Sequence, residues 1–89
     1  MKIPKLIKVF GFIYPIIQKK NFKWIGEIDH KKGRITLDKN IHQGRKESVL
    51  LHELIHCISM EYGLNLKERQ VDLLETGLYQ ILKENNLLK

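Results

Sequence analysis

His52, Glu53 and His56 fall in the run Leu51-His52-Glu53-Leu54-Ile55-His56, an HExxH sequence inside a stretch with the apolar pattern of a buried helix. Residues four apart share one helical face, so both imidazoles can offer a ring nitrogen to one ion. Glu53 then stands beside that ion, where a carboxylate can take a proton from a water whose pKa the metal has lowered. The chemistry this pattern supports is metal-assisted hydrolysis, with Zn2+ as the expected ion for such ligands.

A catalytic zinc site takes three protein ligands and keeps a fourth position open. His30 and His42, the other two histidines, precede the motif in predicted turn or loop. Glu68, Asp72 and Glu75 are spaced i, i+4 and i+7, which lines three carboxylates along one helical face. Each has a plainer role open to it, as part of a solvated stripe facing Lys67, Arg69 or Lys83. Glu68 would be a capping-box residue if Asn65 is the N-cap.

His52-Glu53-Leu54-Ile55-His56 followed by Glu68-Arg69-Gln70-Val71-Asp72 resembles the gluzincin pattern, in which a helix after HExxH carries ExxxD. The whole chain is similar to small phage-encoded metallopeptidase-like proteins, related to minimal gluzincins and to the peptidases that cleave phage repressors. The likeness extends from Gly26-Glu27-Ile28-Asp29 through Arg34 to Asp38 and the HELIH run to Gly77-Leu78-Tyr79. It implies a minimal zincin-like fold, Glu68 as third zinc ligand and Asp72 as the partner orienting a ligand histidine. It also implies Glu53 as general base and a protein or peptide as substrate. Only twelve positions separate His56 from Glu68. A tight hairpin near Asn65 would bring Glu75 or Asp72 level with the metal instead, so Glu75 stands as the second candidate ligand and Asp72 as the third.

The elements that must position these groups follow from periodicity. Leu6 to Phe10 and Phe12 to Ile16 read as strands around a turn at Gly11, with Pro15 placing the second strand at an edge or a bulge. Trp24 to Asp29 and Arg34 to Asp38 read as a hairpin closed by Lys31-Lys32-Gly33, with Ile35 and Leu37 inward. From Arg45 to Tyr62 apolar residues recur at Val49, Leu50, Leu51, Leu54, Ile55, Ile58 and Tyr62, the pattern of a helix covered on most sides and stopped by Gly63. A second helix from Asn65 or Lys67 to about Lys83 carries the stripe Leu66, Val71, Leu74, Leu78, Ile81 and Leu82, and the last three residues are expected to fray. The predicted class is α+β in one domain over residues 1–89, a small antiparallel sheet followed by two helices.

With 89 residues, 43% apolar and 29% charged, the composition is that of a folded domain and excludes a disordered chain. The lone Cys57 excludes an internal disulfide, which favours a reducing compartment, the cytoplasm; it points about 100° from His56 and reads as packing. Gly11 and Pro15 interrupt the apolar N-terminal patch, and no stretch has the length of a membrane span. The net charge of +6 is compatible with plain solubility, with nucleic acid or with acidic substrates. Only Lys19-Lys20-Asn21-Phe22-Lys23-Trp24 interleaves cations with aromatics, so nucleic acid is the weaker reading. Three functions therefore stand in order: a zinc metallopeptidase, a non-catalytic metal-binding module, and a small basic nucleic-acid-binding protein. Tyr62 and Tyr79 are candidate oxyanion donors, and the strand edges at Tyr14 to Ile17 or Arg34 to Asp38 are candidate substrate docks.

Overall fold

In the computed structural model, which describes residues 1–88, the chain is α+β: a four-stranded mixed sheet followed by two helices. The expected fraying at Lys89 lies outside the described residues. The strands are β1 (Leu6–Val9), β2 (Phe12–Lys19), β3 (Gly26–Asp29) and β4 (Arg34–Asp38). Their order across the sheet is β1-β2-β4-β3.

That order corrects the antiparallel expectation. Both hairpins are antiparallel, but β2 pairs with β4 in parallel, from Ile16 opposite Ile35 to Lys19 opposite Asp38. After β2 the chain skips one strand position to form β3, and β4 returns into the gap. Pro15 is not on an edge strand. It pairs with Leu6 of β1, and the β4 ladder begins one residue later at Ile16. The missing N–H therefore falls where β2 changes partners, a position that removes no bond from the β4 side. Strand β2 runs past its expected end at Ile16 to Lys19.

The inward face follows the alternation. Ile35 and Leu37 are fully buried and join Ile3, Ile16, Val49 and Leu50 in one cluster, with Tyr14, Ile28 and Leu54 packed against it. The β3–β4 turn closes through Gly33, whose positive φ of 65° suits glycine and whose N–H donates to the Asp29 carbonyl at 2.7 Å.

Helix α1 (Gln43–Tyr62) starts where His42 Nδ1 accepts the Gly44 N–H at 3.0 Å. It ends at Gly63, with φ 62°, whose successor Leu64 donates back to the Ser59 carbonyl at 2.9 Å. Its cover is less complete than its pattern suggests: Val49, Leu50 and Ile55 are buried, but Ile58 and Tyr62 are exposed.

Helix α2 (Glu68–Glu84) is N-capped by Lys67, whose N–H donates to Gln70 Oε1 at 2.8 Å. The box residue is thus Gln70, and Glu68 is left free of the capping role. Asn65 instead takes a left-handed φ of 54° in the turn, and Leu66 N–H donates to Ser59 Oγ at 3.0 Å, tying the loop to α1. Of the predicted stripe only Val71 is buried, whereas Leu74, Leu78 and Ile81 are exposed. Polar contacts from Glu68, Asp72, Glu75 and Tyr79 reach α1, and their geometry decides what faces the two histidines.

Gly26 sets the distance between the sheet and α1. A Cβ there would stand 2.3 Å from Val49 Cγ1. Gly26→Ala is expected to lower unfolding free energy by about 1–3 kcal/mol, as overpacking does, and Val49→Ala in the same chain to recover most of it. Chemical denaturation of the single and double variants checks this.

Candidate functional site

The imidazoles of His52 and His56 stand one turn apart on α1 with ring centroids 4.8 Å apart and their Nε2 atoms separated by 3.2 Å. Two ligands of a tetrahedral zinc at ordinary bond lengths stand about 3.3 Å apart, so this pair is already at ligand spacing. Glu68, at the first turn of α2, completes a tripod: Oε1 lies 2.6 Å from His52 Nε2 and Oε2 lies 3.2 Å from His56 Nε2. All three ligand atoms fall within 4.8 Å of one another, and the residues present fit a small divalent cation.

The other edge of His52 is occupied by carboxylates. Glu75 Oε1 lies 2.9 Å and Asp72 Oδ1 3.2 Å from Nδ1. A hydrogen on Nδ1 directed at these oxygens leaves the Nε2 lone pair free for an ion, the usual division of labour at a metal-site histidine. Glu75 is fixed in turn by the Ser48 hydroxyl, which donates to its Oε2. Three carboxylates of α2 thus divide between two sides of one ring: Glu68 faces both Nε2 atoms, while Asp72 and Glu75 face Nδ1.

Glu53 is 6% exposed, and its carboxyl lines the clefts on both sides of the histidines. Burial pushes its pKa up to about 7, against the charge of His52 and helped by Glu68, Glu27 and Glu75. A carboxyl poised near neutrality suits proton transfer in both directions. For His52, burial favours the neutral ring, but the Glu75 hydrogen bond and the charges of Glu68 and Glu53 outweigh it and raise the pKa.

Comparisons with protein-family models, with curated proteins and with solved structures return no match for this chain.

Neither candidate oxyanion donor reaches the histidines. Tyr79 donates to Glu47 at 2.9 Å, and Tyr62 packs edge-on against Phe10 at 5.5 Å. His42 is used as the α1 cap, whereas His30 lines the open groove shared by His52, His56 and Glu68. Cys57 is buried, and burial pushes its thiol up to about 11, so it is inert packing. Lys23 lies 5.1 Å from the Trp24 ring centroid, a cation–π pair within the one basic aromatic segment.

Sequence reasoning did not single out Ser48, Glu47 or Arg45, nor the cleft role of Trp24. Ser48 carried a signal, being four residues before His52 on the same face. Glu47 carried a different one, an acidic residue at i−3 and i−7 to the apolar Leu50 and Leu54 on one face of the helix.

Proposed function

We propose that the protein is a zinc-dependent metallopeptidase of minimal gluzincin type, with His52, His56 and Glu68 as metal ligands and Glu53 as the proton carrier. The convergence of two Nε2 atoms and the Glu68 carboxylate within 4.8 Å of one another is the observation that supports it. Zinc held there would supply a water acidified towards neutrality and a Lewis acid for the scissile carbonyl. Glu53 takes one proton from the attacking water as its oxygen bonds to the carbonyl carbon. The same carboxyl then returns that proton to the amide nitrogen as the C–N bond breaks, leaving a carboxylic acid and an amine. Asp72 and Glu75 hold the His52 ring, and Ser48 holds Glu75.

An extended substrate has a dock in β3. Arg34 to Asp38 is paired on both sides and Tyr14 to Ile17 is paired within the sheet, so neither of the strands expected as a dock is free. The free edge beside the histidines is β3, whose Gly26, Glu27 and Ile28 share the groove with His52, Glu53 and Glu68. A peptide added to that edge would carry its carbonyls past the tripod. Among the described residues no helix is long and apolar enough to cross a membrane. A single buried thiol is compatible with a reducing compartment such as the cytoplasm.

Elemental analysis of purified protein tests the reading. One zinc per chain is expected, retained by Glu53→Gln and weakened about hundredfold or more in His56→Ala and Glu68→Ala. Wild-type protein that neither carries nor takes up metal overturns it.

A further inference from the structure

A cleft of about 430 Å³ beside His52 is lined by Trp24, Gly26, Val49, Glu53, Asp72 and Glu75. Arg45, a solvent-exposed residue, also lines it. Arg45, Val49 and His52 are spaced i, i+4 and i+7 on α1, so they follow one stripe of that helix. The guanidinium-bearing residue is thus about 10 Å along the axis from the first histidine. An extended peptide covers that length in about three residues.

The charges along this stripe are not matched in the same way. Asp72 and Glu75 are directed at His52 Nδ1, and Glu75 also accepts from Ser48. Buried Glu47 is compensated by Tyr79, Lys83 and the Met1 amine. Arg45 forms no ion pair and no side-chain hydrogen bond among the described residues, and the first turn of α1 holds no acidic residue to offset it. The positive end of the helix dipole adds to the guanidinium here.

We infer that Arg45 reads a carboxylate of the substrate within about three residues of the cleaved bond, and so selects acidic peptides. This rests on the peptidase reading and names its substrate class. The apolar wall of Trp24 and Val49 covers the peptide between the guanidinium and the metal ligands. The carboxylate belongs either to an aspartate or glutamate side chain or to a free C-terminus, and both present the same planar pair of oxygens.

The test is peptide binding to the Glu53→Gln protein, read through the fluorescence of Trp24, the chain's one tryptophan. The probes are acetyl-Ala-Ala-Asp-Ala-amide, its Asn and Lys counterparts, and the Asn peptide with a free C-terminal carboxylate. At least one acidic probe is expected to bind about tenfold tighter than the neutral Asn amide, the ordinary size of an accessible charge-assisted hydrogen bond. The acidic probe that gains identifies the source of the carboxylate. Adding Arg45→Gln should abolish the gain, and adding Arg45→Glu should turn preference to the Lys peptide. Equal binding of all probes, no binding of any, preference for Lys by the unaltered cleft, or a gain surviving Arg45→Gln each overturns the inference. Zinc content of the same samples separates the two readings. Carboxylate preference without zinc counts against hydrolysis alone, and zinc without carboxylate preference counts against Arg45 alone.

Discussion

Glu53→Gln is expected to reduce peptide hydrolysis by about a thousandfold while leaving zinc content unchanged, the range lost when a general acid–base group is removed. The amide keeps the shape of the carboxyl and cannot carry the proton from water to the leaving nitrogen. The same substitution should stabilise the metal-free protein. Burial holds the Glu53 pKa near 7 in the fold against an ordinary 4.5, so the ionised carboxylate is disfavoured in the native state. Below pH 4.5 the group is protonated in both states and costs nothing. As pH rises from 4.5 through 7 the unfolded chain releases its proton first, and stability falls by about 3 kcal/mol. Glu53→Gln removes that slope. Thermal melts of both metal-free proteins at pH 5 and pH 8 should therefore diverge only at the higher pH. A variant with full activity would remove Glu53 from the mechanism, whereas zinc binding with no hydrolysis by the unaltered protein would leave a non-catalytic metal-binding module as the reading of HELIH. A variant that has lost its metal would instead make Glu53 part of the metal site.

Glu47→Ala is expected to be the most destabilising single change outside the apolar core, at about 3 kcal/mol. Glu47 is 2% exposed, yet ionised. Burial alone would raise its pKa, but hydrogen bonds from the Met1 amine at 3.0 Å, the Tyr79 hydroxyl at 2.9 Å and Lys83 Nζ at 3.4 Å outweigh burial and bring it down to about 2. Tyr79 and Lys83 are on α2, whose apolar face buries only Val71. This cluster therefore supplies much of what fastens α2 to α1 away from the histidines. The pH dependence runs opposite to that of Glu53. The stabilisation is complete above the ordinary carboxyl value of 4.5 and is lost as pH falls from there towards 2, by about 3 kcal/mol in total. Denaturant titrations at pH 7 and pH 3 should show the wild-type advantage over Glu47→Ala shrinking at the lower pH. Hydrogen exchange in the variant should rise first along α2. An equal loss at both pH values would mean that packing, not the ionised cluster, is what the substitution removes.

What could be read directly from the chain is local. The four-residue spacing of His52 and His56 dictates a shared face on any helix, and alternation at Ile35 and Leu37 dictates which side of β4 is inward. Gly63 marks the end of α1 because a left-handed residue there costs glycine little. The acidic row of α2 was visible as a row, but not which nitrogen each carboxylate would meet. That depends on the crossing and the turn at Asn65, which bring Glu68 to both Nε2 atoms and Asp72 and Glu75 to Nδ1. The strand order was hidden for a similar reason. The alternation of β4 is satisfied equally by a parallel or an antiparallel neighbour, and the parallel direction appears only in the long-range register that runs from Ile16 beside Ile35 to Lys19 beside Asp38. The stripe on α2 promised burial that the fold does not provide, because an amphipathic period specifies a face and not the partner that covers it. Glu47 and Ser48 owe their contacts to residues distant in the chain, to Tyr79 and to Glu75, and Arg45 shares its cleft with the distant Trp24. Periodicity and turn chemistry act within a few residues, whereas ligand geometry, charge pairing and strand order arise where distant segments meet, and only the folded chain brings those segments together.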